Sequence, residues 1–289
     1  MRSVDSSIRR SVLAGVWYSA DGPALRSELE GYLAEAGEVS VPGTVVAITS
    51  PHAGYAYSGP TAAHSYKLVR GKHFEVVVCV GPIHRNPVDR ASVFKGRAAV
   101  TPLGGVEIHR EVTERLLANE ELFEPGGANH EGENPVELQV PFLQTVIEGF
   151  KYVEILVRDQ PLETHILTGQ AIAEALKGRS VLLIGSTDLS HYPSRRDAEQ
   201  CDRATLEAIL KPDPRSAREN LNRVKEKFAA TPNLSCVMCG ESAVFTVMAA
   251  AQALGATEGK VLNYSNSGMT GGGPDRVVGY GAVAYYKPF

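Results

Sequence analysis

Two histidines in this sequence stand just beyond apolar runs. Thr44 to Ile48 leads into Thr49-Ser50-Pro51-His52-Ala53-Gly54-Tyr55, and Phe74 to Val80 leads into Gly81-Pro82-Ile83-His84-Arg85. Imidazole is the commonest metal ligand and the commonest general base, so two of them at equivalent places on neighbouring strands are candidates for either task. The competing reading is a pair of unrelated loop histidines. A third run, Val181 to Ile184, leads into Gly185-Ser186-Thr187-Asp188-Leu189-Ser190-His191-Tyr192-Pro193. An Asp and a His three apart on a tight turn can face one cavity, with Asp188 orienting an imidazole or a water and His191 acting as acid, base or outer ligand. Asp188 and Ser190 could instead cap the helix expected near Asp197, but Ser194 and Asp197 are better placed for that.

The thiols divide by context. Cys239, in Cys236-Val237-Met238-Cys239-Gly240-Glu241-Ser242, precedes an Ala- and Val-rich helical run. Unpaired N–H groups at a helix start favour thiolate, so a lowered pKa is expected for Cys239, in the form that binds metals or attacks electrophiles. Cys79 and Cys201 read as inert core residues. Cys236 and Cys239 lack the second Cys or His pair of a finger-like zinc site, and a CxxC redox pair remains an option. Thr270-Gly271-Gly272-Gly273-Pro274 carries neither phosphate-loop nor dinucleotide spacing and reads as a turn. His130, in Asn129-His130-Glu131-Gly132-Glu133-Asn134-Pro135, is expected to close over the cleft as a further acid or base. His64, His73, His109 and His165 read as structural or solvated.

Positioning such groups requires strands that end at one rim. Apolar runs at Thr44 to Ile48, Phe74 to Val80, Val153 to Val157, Val181 to Ile184 and Val261 to Tyr264 suit strands covered on both faces. Helical patterns alternate with them at Pro23 to Ala36, Pro60 to Val69, Arg110 to Leu122, His165 to Leu176, Asp197 to Leu210, Pro214 to Phe228 and Glu241 to Leu254. Val277 to Tyr286, broken by Gly279 and Gly281, reads as a bent or bulged closing strand. This is an α/β pattern: one domain over residues 1–289 with a central mixed, mostly parallel sheet flanked by helices. In such sheets ligands gather beyond the carboxyl ends of strands, where these histidines stand.

Composition narrows the partners. At 43% hydrophobic and 21% charged residues, the chain falls with ordinary globular proteins, and no run is long enough to span a bilayer. A net charge of −4 provides no field to gather nucleic acid or anionic lipid, so neither is an expected partner. The mildly apolar Ser11 to Tyr18 after Arg9-Arg10 is short, contains Gly15 and lacks a small-residue cleavage pattern. It is not read as a secretory signal, and a cytoplasmic location is expected.

Several motifs together resemble the Memo family, which is related to the B subunit of class III extradiol ring-cleavage dioxygenases (LigB-like). They are Ala14-Gly15-Val16-Trp17-Tyr18, Pro51-His52-Ala53-Gly54-Tyr55 with Ser58-Gly59, Gly81-Pro82-Ile83-His84, Glu137-Leu138-Gln139-Val140-Pro141-Phe142, Thr187-Asp188-Leu189-Ser190-His191-Tyr192, Cys239-Gly240 and Val277-Val278-Gly279-Tyr280. The resemblance implies that His52, His84 and Cys239 coordinate a metal and that Asp188 and His191 line the same pocket. In the related dioxygenases two histidines and a carboxylate hold Fe(II). A cysteine in the carboxylate's place softens the set toward copper, zinc or thiolate-bound iron. One departure stands out: the family's Glu-His-Ser reads Glu133-Asn134-Pro135 here, and Asn134 can hydrogen-bond a ligand but cannot act as a base.

Three functions follow as expectations. The first is a metal-dependent oxidoreductase, with Fe(II) the leading cofactor and copper or zinc alternatives, acting on a small-molecule or peptide ligand. In it His52, His84 and Cys239 are ligands and Asp188, His191 and His130 handle protons. The second is a binding module that holds such a ligand without turnover, and the third a hydrolase with Cys239 as nucleophile.

Overall fold

The computed structural model describes residues 7–289, apart from the side chain of Ala128. Residues 1–6, at the start of the N-terminal stretch weighed above as a leader, therefore lie outside the described residues.

In chain order the elements are β1 (Ile8–Arg10), α1 (Gly22–Glu35), β2 (Gly43–Ser50), α2 (Tyr55–Val69), β3 (Val76–Pro82), β4 (Ala91–Phe94), β5 (Ala98–Thr101), β6 (Gly104–Glu107), α3 (Arg110–Leu117), β7 (Phe123–Gly126), α4 (Asn134–Glu137), α5 (Gln139–Val146), β8 (Lys151–Val157), α6 (Leu162–Ala175), β9 (Val181–Ser186), α7 (Arg195–Ala208), α8 (Pro214–Phe228), α9 (Glu241–Ala253), β10 (Glu258–Asn266) and β11 (Gly279–Pro288). Eight strands form one sheet in the order β10-β11-β2-β9-β3-β8-β4-β7, and β1-β5-β6 form a small second sheet.

The centre of the large sheet, β2-β9-β3-β8, is parallel, whereas β10-β11, β11-β2 and β4-β8 pair antiparallel. Because side chains alternate along a strand, β3 sends Val76, Val78 and Val80 to one face and Val77 and Cys79 to the other. The first face packs against α3, α6, α7, α8 and α9, and the second against α1, α2 and α5. Burial on both faces is why these strands read as unbroken apolar runs. The closing strand β11 carries the expected irregularity, a register shift against β2 at Tyr285/Tyr286.

Two boundaries differ from expectation for clear reasons. α2 starts five residues before Pro60, with the Ser58 N–H bonded to Gly54 O, so Pro60 sits inside the helix rather than at its first position. α3 stops at Leu117, after which Leu122 and Phe123 N–H both turn back to Asn119 O. The apolar residues beyond Leu117 feed β7 instead of continuing the helix.

The N-terminal stretch is pinned by one buried carboxylate. Glu137 accepts hydrogen bonds from Leu13 N–H at 2.9 Å, Val12 N–H at 3.1 Å and Tyr18 O–H at 2.8 Å, and Arg9 lies 3.4 Å from it. No helix among the described residues is long and apolar enough to cross a membrane.

Candidate metal centre

His52 follows the carboxyl end of β2 and His84 that of β3, but the two strands are not neighbours as expected: β9 runs between them. This inserts the loop that follows β9, with Asp188 and His191, between the histidines. Cys239 arrives from the far side, immediately before Gly240, the N-cap of α9.

One ligand atom from each of His52, His84 and Cys239 lies within 4.8 Å of the other two, the one such set of three found among the described residues. Cys239 Sγ is 3.3 Å from His52 Nε2. The two imidazole centroids are 5.4 Å apart at 63°, an edge-on pose that lets both rings point nitrogen at one centre. His52 is buried and His84 exposed, so the set is rooted in the protein and open on one side.

Each of the three candidate ligands is held from behind. His52 Nδ1 is 2.9 Å from Ser186 Oγ, and its backbone N–H donates to Asp188 Oδ1 at 2.8 Å. Glu133, wholly buried, accepts the backbone N–H of His84 at 3.0 Å and of Arg85 at 2.7 Å, with Oε2 4.0 Å from His84 Nδ1. Asn134 donates to His52 O at 3.0 Å and also hydrogen-bonds His84 through its side chain, so it bridges both histidines. Cys239 is tied to the β9 loop in both directions, with its N–H donating to Asp188 O at 3.2 Å and Asp188 N–H donating to its Sγ at 3.3 Å.

The loop between the histidines is fixed through five successive amides. Thr187, Asp188, Leu189, Ser190 and His191 donate to Ser50 O, Cys239 Sγ, Gly279 O, Asp202 Oδ1 and Cys236 O. Ser194, not Asp188 or Ser190, caps α7 by accepting from Asp197 N–H, so Asp188 is free to face the ligands, its Oδ2 4.0 Å from His52 Nε2. His191 Nδ1 lies 2.9 Å from Leu189 O and 3.5 Å from Cys236 Sγ. Because a carbonyl only accepts, Nδ1 carries the proton and Nε2 is the ring atom left for a ligand.

Electrostatics follow burial. His52 sits well below the usual imidazole range because it is desolvated and faces His84 and His191, and desolvation lowers His84 too. Burial lifts Asp188 to about 6 against the pull of His191 and of the His52 amide. Burial also works against charge on His191, but Cys236 and Asp188 beside it raise it to about 9. For Cys239 the expected lowering is overturned: burial and then the Asp188 charge push the thiol well above its usual value. Cys239 precedes the cap of α9, so the amide nearest its sulfur comes from Asp188 and not from the helix start. A bound cation would reverse this balance, because a coordinating thiol is deprotonated outright.

His130 does not close over the cleft. It is wholly buried, with Nδ1 2.8 Å from Glu154 Oε1 and Nε2 3.1 Å from Ser92 Oγ, in a network that Arg9 extends by pairing with Glu154. Both ring nitrogens are engaged, so the polar loop composition around His130 reflects a buried network rather than a lid. Sequence reading passed over Glu133 and Ser186 as site residues. The signal for Ser186 was its place two residues before Asp188 at a strand end, whereas Glu133 was visible only as part of a motif.

A family model described as "Memo-like protein" matches residues 9–284. The chain belongs to the Memo family. A MEMO1 family protein of Nitrosopumilus maritimus is 32% identical over 287 residues, covering 96% of this chain and 99% of that one. Others, from Methanopyrus kandleri and Methanothermobacter thermautotrophicus, are each 33% identical, and cover 96% and 94% of this chain. In this Memo chain the motifs around His52, His84, Asp188 and Cys239 form the His-His-Cys cluster and its walls, Gln139 of another supports His52 through Ser186, and Gly279 of the closing motif accepts the Leu189 amide of the loop between the histidines.

Proposed function

We propose that this chain is a metal-dependent oxidoreductase of the extradiol dioxygenase-like class, with non-haem iron or copper held by His52, His84 and Cys239. The observation that carries the reading is that these three side chains, from separate parts of the sequence, bring ligand atoms within 4.8 Å of one another. Two imidazoles and a thiol make a borderline-to-soft donor set that suits Cu, Zn or thiolate-bound iron. A bound redox metal would supply one-electron chemistry and a binding place for oxygen or a substrate donor atom, because three protein ligands leave coordination positions open.

The chain's own residues would do the rest. His84 is exposed, so a small molecule or peptide side chain can reach the ligand face from its side. Asp188 borders that face and can hold a water or a substrate hydroxyl. His191, with Nδ1 fixed on Leu189 O and its charged form favoured against burial by Cys236 and Asp188, offers Nε2–H as a proton donor. Asn134 can orient a ligand by hydrogen bonding but moves no proton, so proton handling falls to Asp188 and His191.

Anaerobic loading with Fe(II) or Cu(I), elemental analysis, and oxygen uptake in the presence of reductants and catechols test the reading. A stoichiometric redox metal with substrate-dependent oxygen uptake supports it. A chain that takes up neither metal contradicts it.

A further inference from the structure

We infer that Ser186, Gln139 and Tyr66 are positioning residues: a hydrogen-bond relay, converging on the Ser186 oxygen, that locks His52 into the tautomer with its proton on Nδ1 and its lone pair on Nε2. The inference rests on the metal-ligand reading of His52, but its geometry is independent of any metal.

The direction of every bond in the relay is forced by groups that can only accept. Gln139 Nε2 lies 3.1 Å from Pro51 O, 3.1 Å from Pro135 O and 3.0 Å from Ser186 Oγ. Turning the amide over would set its oxygen against two carbonyl oxygens, so the NH2 must face them. The other end, Oε1, then accepts from Tyr66 O–H at 2.6 Å. Burial holds the Tyr66 phenol well above its ordinary pKa, so that proton is present to donate.

Ser186 has a single hydrogen, and its shortest contact is Pro135 O at 2.6 Å, which accepts only. With that hydrogen committed, and the two Gln139 amide hydrogens shared among Pro51 O, Pro135 O and the Ser186 oxygen, Ser186 has only lone pairs left for His52 Nδ1, 2.9 Å away. Nδ1 must therefore be the protonated nitrogen. Nε2 is left bare, and it is the atom that lies 3.3 Å from Cys239 Sγ. Ser50, Pro51, Tyr66, Gln139 and Ser186 are all buried, so water does not compete for these bonds.

The relay is neutral throughout, unlike the support of His84, where the Glu133 carboxylate receives the backbone amides. Its parts come from β9, α5 and α2, and it ties the tautomer of one ligand to the packing of three elements.

Nitrogen-15 spectra of the metal-free, histidine-labelled full chain test this directly, with the His52 signals assigned by their loss in His52→Asn. The expected result is a protonated Nδ1 and a bare Nε2. A His52 ring protonated on Nε2 would overturn the inference, and this wild-type measurement needs no other variant to fold. Titration with Zn(II) alone gives a second readout, because outer hydrogen-bond partners of a ligating histidine are worth about 10- to 100-fold in metal affinity. Ser186→Ala, and Gln139→Ala if the first does not fold, are expected to bind Zn(II) weaker by that factor. Wild-type Zn(II) affinity in a folded variant would count against the relay. Should the wild-type chain bind neither Zn(II) nor the Fe(II) and Cu(I) of the loading experiment, the metal reading fails while the tautomer still stands on its own spectrum.

Discussion

His52 Nε2 and Cys239 Sγ lie 3.3 Å apart although 187 positions separate them in the chain. No local interaction produces that contact. It exists because β2 pairs edge to edge with β9 while α9 packs across the face of the same strands, and the loop after β9 hydrogen-bonds to both residues.

Removal of either partner is expected to abolish tight metal binding. A ligand removed outright should cost more than the roughly 10- to 100-fold that its outer partners are worth. His52→Ala and Cys239→Ala should each bind Zn(II) at least about 100-fold more weakly by competition with a chromophoric chelator. Retained affinity in Cys239→Ala would remove the thiol from the site.

Glu133 is the expected support of His84. Glu133→Gln keeps the shape but places an NH2 where a carboxylate accepted two amides, leaving one buried donor unmatched. A loss of about 1 to 3 kcal/mol in urea unfolding is expected. A variant as stable as wild type would show that these bonds contribute little.

Gly279 permits a close approach. A Cβ there would fall on the Asp202 carboxylate, which holds the Ser190 amide and accepts from Tyr264 O–H at 2.8 Å. Gly279→Ala should displace the Asp188 to His191 loop and cost about 1 to 3 kcal/mol, the usual cost of overpacking a filled interior. Thermal melts with and without metal measure it; an unchanged melting temperature would mean the helix carrying Asp202 shifts freely.

Asp202 also predicts a pH dependence. Burial raises its folded pKa to about 6 from an ordinary value of 3.8. Between those values the folded state binds more protons than the unfolded state, so the contribution is fully present at low pH and is lost as pH rises through about 6. Relative to Asp202→Asn, the wild-type chain should lose up to about 3 kcal/mol between pH 4 and pH 7. Paired denaturant titrations at those pH values read the difference directly, and a constant difference would contradict the raised pKa.

How much of this was legible in the sequence depended on what each residue contacts. The parallel core of the sheet was readable because strands buried on both faces leave continuous Val, Ile and Leu runs. The short strand β4 and the edge strand β7 were not, since each has only four residues, too few for a periodic signal, and β7 contains Pro125. His52 and His84 were findable from strand-end position, but the insertion of β9 between their strands is a matter of topology that no spacing encodes. The Cys239 pKa was misjudged because helix proximity is visible in sequence and desolvation is not. His130 failed for a related reason: its partners Glu154 and Ser92 lie 24 and 38 positions away and are ordinary strand residues when read alone.

The central claim is that one ion binds between His52, His84 and Cys239. X-ray absorption spectroscopy on the chain loaded anaerobically with one equivalent of Fe(II) or Cu(I) tests it most directly. One sulfur scatterer near about 2.3 Å with two imidazole nitrogens near about 2.0 to 2.1 Å, distances typical of zinc-type sites, is the expected first shell. The sulfur should vanish in Cys239→Ser. A first shell made only of light oxygen or nitrogen atoms, unchanged in that variant, would contradict the account.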